Sequence, residues 1–356
     1  MKTDNKTTQM SINEEIQMLS KIDWKKELRS HSSANPDEDY FVKSDNAFTR
    51  KARFLQAIRR YQSKSACGSF VKDGITYFHP NLVNDGLDTG CNFLQPEIHE
   101  YAKERVDNKK KYETINKDRL FNNFLSSQPM AFNLFYPFRN IIKEDAGQVI
   151  LADVVSKLID QEKSLDIKRI YEVGIESIPE YYKDCLNDKT AMDAYFRYVT
   201  ADSKKGIIAI ETKYSDSLGT NEASDPSTAI TTATERDGVF QLFTNVAREA
   251  IRKKEIKMSQ VYRNFLLTET VRLHENLDES ISVVMAPKEN KNNKKDEKQL
   301  SDALTDEFKY KFQILNLEDF VDAIIEEFPN QTVFKDFKHR YLDFQIAEYF
   351  LKQINN

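Results

Sequence analysis

Residues 207–210 read Ile-Ile-Ala-Ile, without one polar side chain, and Glu211-Thr212-Lys213 follows at once. An apolar run this short suits a strand buried on both faces, which needs a sheet around it and helices above and below. Ahead of it, residues 169–174 and the alternating, aromatic stretch at 193–199 also read as strands, with a polar turn at 200–205. Behind it, residues 280–285 form a further strand ended by Pro287, and residues 314–328 read as a strand turning into a helix. Strands set between helical segments predict a mixed α/β core.

The helical segments carry the 3.6-residue period. Phe54, Ala57, Ile58 and Tyr61 repeat at i, i+3, i+4 and i+7, which predicts a helix over 47–61. Arg53 and Arg60 share one flank of it and read as solvated. Further helices are expected at 96–111, 118–125, 149–159, 239–254, 259–273 and 337–354. Ser11 and Glu14 have capping-box spacing ahead of a short helix through Leu19. Residues 67–94 read as loops and short strands, and residues 288–298, nearly all Lys, Asn, Asp and Glu, as a solvated loop. The aromatic run from Phe132 to Phe138 reads as core and not as a base-stacking platform. The expected organisation is a polar, partly disordered leader (1–45), a mainly helical region (46–115), an α/β domain (116–345) and the end of a C-terminal helix (346–356).

Composition excludes several classes. With 356 residues, 40% hydrophobic side chains and 23 Phe, the chain has enough apolar material for a core. No apolar stretch approaches the roughly 20 residues that span a bilayer, and residues 1–13 lack a signal-peptide core, so a cytoplasmic location is expected. Three scattered cysteines give no disulfide framework. Cys67, His79, Cys91 and His99 lack the paired short spacing of a zinc site. No glycine-rich phosphate loop or nucleophile elbow occurs. A net charge of −5 gives no sign of a surface coated in positive potential. The Lys109-Lys110-Lys111 and Arg252-Lys253-Lys254 runs read as solvated helix ends, and as the first places to look for phosphate contacts.

The chemistry concentrates at Asp193 and Glu211-Thr212-Lys213. Glu-x-Lys and Asp-x-Lys recur elsewhere, at Asp23, Asp107, Glu255 and Asp336 for example, and are ordinary surface charges there. Only Glu211-x-Lys213 lies at the exit of a fully apolar strand. Side chains alternate along a strand, so Glu211 and Lys213 share a face and Thr212 takes the other. A hairpin of 193–199 with 207–214 pairs the start of one strand with the end of the other, which brings Asp193 to Glu211. Two carboxylates held together repel and resist desolvation, and a divalent cation removes both penalties. Mg²⁺ suits such a sparse set, with Asp193 and Glu211 as ligands, the Thr212 backbone carbonyl as a third, and Glu172 in the preceding strand as a further carboxylate. Lys213 would then position a water or stabilise charge on phosphorus. The other reading of the same residues is a structural ion pair at a sheet rim. Gln260 and Arg263, one helical turn apart, either face a phosphate backbone or cap a packed helix.

Asp…Glu-x-Lys on adjacent strands resembles the PD-(D/E)XK nuclease superfamily, which includes many restriction endonucleases. The likeness extends to Ser126-Ser127-Gln128-Pro129-Met130-Ala131-Phe132-Asn133-Leu134-Phe135 and to Ile208-Ala209-Ile210-Glu211-Thr212-Lys213-Tyr214-Ser215. It also takes in Asp118-Arg119-Leu120, Gln260-Val261-Tyr262-Arg263, Met285-Ala286-Pro287 and Arg340-Tyr341-Leu342. The resemblance implies an αβββαβ restriction-endonuclease-like core, a mixed central sheet flanked by helices, with a helical N-terminal extension. It implies Asp193 and Glu211 as metal ligands, Lys213 as the catalytic lysine, and Gln128 near the site on the core's first helix, with Glu172 matching a family acidic position. Gln260 and Arg263 fall into supporting places. The function so implied is Mg²⁺-dependent hydrolysis of DNA of restriction or defence type, with Mn²⁺ substituting and a homodimer where both strands of a duplex are cut. The alternative is a catalytically silent nuclease-fold protein that binds DNA or acts as an adaptor.

Overall fold

The computed structural model describes residues 11–27, 44–159, 165–216, 238–253, 255–256 and 259–354. Much of the expected leader and the polar loop after Asp216 lie outside these residues. The chain divides into two units, one formed by residues 1–85 with 339–356, the other by residues 86–338.

The first unit is built on the helix Ala47–Gln62. Asn46 caps it by accepting a hydrogen bond from the Thr49 amide at 2.8 Å. Helices Ile12–Leu19 and Phe344–Ile354 belong to the same unit, and the Ser11–Glu14 capping box is formed. Trp24 meets the Phe54 ring edge-on at 5.6 Å and Phe350 at 5.7 Å. Strands β1 (Gly68–Lys72) and β2 (Ile75–His79) make an antiparallel hairpin, closed by Asp73 and Gly74 at φ 52° and 77°. Arg53 and Arg60 are not solvated, contrary to the sequence reading. Arg53 pairs with Asp45 at 2.6 Å, and Arg60, 4% exposed, donates to the carbonyls of Pro80 and Ser65. Their long stems pack into the unit while their heads find fixed acceptors.

The second unit holds a five-stranded sheet in the order β3-β4-β5-β6-β7. The strands are β3 (Ile167–Ser177), β4 (Met192–Thr200), β5 (Lys205–Thr212), β6 (Glu279–Ala286) and β7 (Phe312–Asn316). β4 runs antiparallel to its neighbours β3 and β5, and β5, β6 and β7 run parallel. The helices Ser127–Ile141 and Asp145–Ile159 precede β3, and the helices Asn245–Arg252 and Gln260–His274 lie between β5 and β6. The order helix, three strands, helix, strand is therefore the αβββαβ core expected from the resemblance.

Each face of the sheet has its own cover. On β4 burial alternates, so Ala194, Phe196 and Tyr198 take one face. Phe196 there meets Phe135 at 5.8 Å and Phe138 at 5.9 Å, both from the helix Ser127–Ile141. The run from Phe132 to Phe138 is thus helical core, with Pro137 inside the helix. On the opposite face Ile207 and Ala209 share an apolar cluster with Val261, Phe265 and Leu266 of the helix Gln260–His274. β5 is buried along its whole length after Lys205, as its apolar run requires.

Two sequence expectations need correction here. The 288–298 segment is not simply a solvated loop, because a helix begins at Lys294 (Lys294–Ala303) and buries Glu297 and Leu300. Asn290 and Asn292 donate from their side chains to the carbonyls of Tyr214 and Ser215, pinning the chain as it leaves β5. Asn amides supply an anchoring that a count of polar residues misses. The expected 337–354 helix is two helices, Thr332–Tyr341 and Phe344–Ile354, interrupted at Leu342 and Asp343.

Candidate active site

The antiparallel register of β4 and β5 pairs Ala194 with Ile210, so the next step sets Asp193 opposite Glu211. The β3–β4 register pairs Ile175 with Ala194 and Ser177 with Met192, which sets Glu176 opposite Asp193. Three acidic residues thus form a row across three adjacent strands. Asp193 turns one oxygen to the Thr212 amide at 2.8 Å and the Thr212 hydroxyl at 2.9 Å. Glu211, 2% exposed, pairs with Lys213 at 2.6 Å and accepts from the Asn264 side-chain amide. The Lys213 ammonium also donates to Gln260 Oε1 at 3.0 Å. Its backbone is fixed by a 2.9 Å bond from its amide to the Met285 carbonyl, which extends the β5–β6 ladder one residue past Thr212.

Glu176 reaches the site through an unusual backbone. It has φ 48°, the left-handed region that costs a side chain about 1 kcal/mol or more, and it is nonetheless buried. Arg105, from the helix Pro96–Asp107, holds this turn by donating to the carbonyls of Ile175 and Glu176, the second at 2.8 Å, while pairing with Glu113 at 3.0 Å. The Gln128 side chain hydrogen-bonds to the Glu176 carboxylate. Gln128 sits at the start of the helix Ser127–Ile141, where the Ser126 hydroxyl accepts from its amide at 3.2 Å.

This row is electrostatically expensive. Burial, then the neighbouring Asp193 charge, pushes the Glu211 carboxyl up to about 7 against the partial relief of Lys213 and Asn264. Burial and the same neighbour also raise Glu176, and burial raises Asp193. Lys213 loses charge stability through burial but gains more from Glu211 and Asp193, so its ammonium is held above the usual lysine range. Of the three carboxyl groups Glu211 alone has the Lys213 ammonium in direct contact, while Arg105 and Arg119 act on Glu176 and Asp193 without a direct ion pair. Gln128 Oε1, buried without a donor, adds an unused oxygen. This donor set of oxygens suits a hard divalent cation such as Mg²⁺. Among the described residues no three His, Cys, Asp or Glu side chains are placed so that together they could hold a metal ion. Asp193 and Glu211 spend oxygens on Thr212, Lys213 and Asn264, and binding a cation would exchange some of these partners.

Asp193, Glu176, Lys213, Gln128 and Gln260 open onto one cleft of about 290 Å³. At its mouth stand Arg119 and Lys189.

A model of the PD-(D/E)XK nuclease superfamily matches residues 43–343. The chain belongs to this superfamily. Its members are generally metal-dependent nucleases. Searches of curated proteins and of solved structures return no match. No helix among the described residues is long and apolar enough to cross a membrane.

The structure does not bring every sequence-chosen residue to this row. Glu172 accepts from the Tyr195 hydroxyl at 2.5 Å and approaches Arg197 at 3.5 Å. Its cross-strand partner Arg197 lies four residues from Asp193, about 13 Å along the strand. The acidic residue of β3 that meets Asp193 is Glu176. Register shifts early in β3 and the left-handed backbone at Glu176 decide between the two glutamates, and neither is visible in the sequence. Arg263 lines the cleft but pairs with Asp188 at 2.9 Å, so its charge is already met. Asn264 was missed. Its signal is an amide four residues after Gln260, on the same helical face.

Proposed function

We propose that this chain is a Mg²⁺-dependent nuclease that hydrolyses DNA phosphodiester bonds in restriction or defence, with Mn²⁺ able to substitute. The observation that carries the reading is the convergence of Asp193, Glu211 and Lys213 at the exit of a buried strand, with Asp193 and Lys213 lining a polar cleft. Asp193 and Glu211 would hold the cation with the Thr212 carbonyl, and Glu176 takes the place first given to Glu172. The bound cation would supply Lewis-acid polarisation of a phosphoryl oxygen. Lys213, held between Glu211 and Gln260, would place a fixed positive charge against the oxygens of the phosphorus centre as negative charge grows there. Gln260 keeps the ammonium aimed into the cleft, and Arg105 keeps Glu176 in place.

Plasmid and single-stranded DNA incubated with the chain in Mg²⁺, Mn²⁺ or EDTA test this. Cleavage is expected with either metal, none in EDTA, and a large loss with Lys213→Ala. Cleavage that survives Asp193→Ala, Glu211→Ala and Lys213→Ala alike would refute it. DNA bound by the wild type without any cleavage points instead to the silent binding protein.

A pH dependence follows from Glu211. Its folded-state pKa of about 7 stands above the ordinary 4.5, so the metal-free fold holds a proton that the unfolded chain gives up. That contribution to stability is full below about pH 4.5 and is lost as pH rises through about 7. A cation needs the ionised carboxylate, so at about pH 6 it must displace this proton, which weakens binding roughly tenfold. Mg²⁺ should therefore raise the melting temperature more at pH 8 than at pH 6. Equal rises in thermal melts at the two pH values would contradict this account of the site.

A further inference from the structure

Two cations at the mouth of the cleft make no direct ion pair with the acidic row. Arg119 is exposed, and its carboxylate partner, Asp216, stands off at 3.7 Å, with both side chains about half exposed. Its guanidinium still lies close enough to Asp193 to favour that carboxylate's charge. Lys189 is exposed, and among the described residues no carboxylate pairs with it; its ammonium makes a 3.4 Å contact with the Lys111 carbonyl. Both side chains stand on fixed backbone. The Asn116 side chain caps the helix Lys117–Asn122 by accepting from the Arg119 amide at 3.0 Å. The Asp188 carboxylate accepts from the Thr190 amide at 2.8 Å and is tied to Arg263.

Within the basic runs noted in the sequence, three side chains already have partners, and neither run lines the cleft. Lys110 pairs with Glu180, Lys109 donates to the Ile115 carbonyl at 2.8 Å, and Arg252 pairs with Glu249 at 2.5 Å. Among the residues lining the cleft none is aromatic, so it offers no platform on which a base would stack. What it offers a polynucleotide is hydrogen-bonding side chains and two cations with little or no carboxylate pairing, which match phosphate oxygens.

We propose that Arg119 and Lys189 form a clamp on the phosphates flanking the reacting one, so that the cleft takes a DNA strand by its backbone and not by its bases. This deepens the nuclease reading and rests on it for the substrate, yet it is measured through binding alone.

The test is equilibrium binding of labelled single-stranded and duplex DNA oligonucleotides of unrelated sequences, in EDTA, across a range of salt concentrations. Each phosphate contact contributes a slope of about 0.9 on duplex and about 0.7 on single strands to log K against log salt. Arg119→Ala and Lys189→Ala should each flatten the slope by about that amount, the double variant by about twice as much, and equally for every sequence. Lys157→Ala, a surface change at a lysine paired with Asp153 at 2.6 Å, should leave it unchanged. Unaltered slopes in both clamp variants, a loss confined to one sequence, or no binding by the wild type would overturn the clamp. DNA cut in Mg²⁺ with unaltered slopes removes the clamp and keeps the nuclease. Flattened slopes without cleavage do the reverse.

Discussion

Lys213→Ala is expected to lower DNA cleavage by at least roughly 10²–10³-fold, the usual cost of removing one group aimed at developing charge. The loss should fall on the rate of the chemical step, because the ammonium lies beside the acidic row at the inner end of the cleft and not at its mouth. Folding should survive. Glu211 would lose its ion-pair partner, but its carboxyl is already pushed up to about 7 and can stay protonated in place. Lys213→Arg should not restore activity, since a planar fork does not fit the 2.6 Å and 3.0 Å contacts to Glu211 and Gln260 that a compact ammonium makes. Single-turnover cleavage rates beside thermal melts read both effects. A variant that cuts at the wild-type rate removes Lys213 from the mechanism.

Phe138→Ala should cost about 3–5 kcal/mol of stability. The ring is fully buried and meets Phe334 at 5.0 Å, Phe196 at 5.9 Å and Phe320 at 6.1 Å, so no neighbour is free to fill the space. For a unit of this size the loss corresponds to a melting point lower by about 6–20 °C. Because the same helix carries Gln128 at its first turn, loosening it should also blunt metal-dependent cleavage below the melting transition. Denaturant unfolding measures the first effect; a loss under about 1 kcal/mol would show that the helix Ser127–Ile141 does not hold this face of the sheet.

The central row was legible because strand geometry is strict. Ile207 to Ile210 has to sit mid-sheet, side chains alternate, and a hairpin with 193–199 then leaves Asp193 only one neighbour at the end of β5, which is Glu211. The run from Phe132 to Phe138 was legible as core, but its helix was implied only by the resemblance and not by the periodicity. The carboxylate of β3 was not legible. Glu172 and Glu176 stand four residues apart in one strand, and alternation alone puts both on the same face. Bulges upstream, the left-handed turn at Glu176 and the grip of Arg105, more than sixty residues earlier, decide which one faces Asp193.

Arg263 illustrates a second limit. One helical turn from Gln260, it has the right spacing for a phosphate contact, yet Asp188 from a distant segment takes its charge. Long-range ion pairing leaves no local sequence mark. The polar stretch at 288–298 shows the same limit, because Asn290 and Asn292 are anchors by virtue of two carbonyls at the exit of β5.

The central claim is that Asp193 and Glu211 share one divalent cation. Titration calorimetry at about pH 8, with Mg²⁺ or Mn²⁺ added to the wild-type chain and to Asp193→Asn, addresses it without any need for a substrate. Saturable heat in the wild type that disappears in the variant, with the fold intact by thermal melt, is the expected result. Equal heat in both proteins, or none in the wild type with either metal, would contradict it.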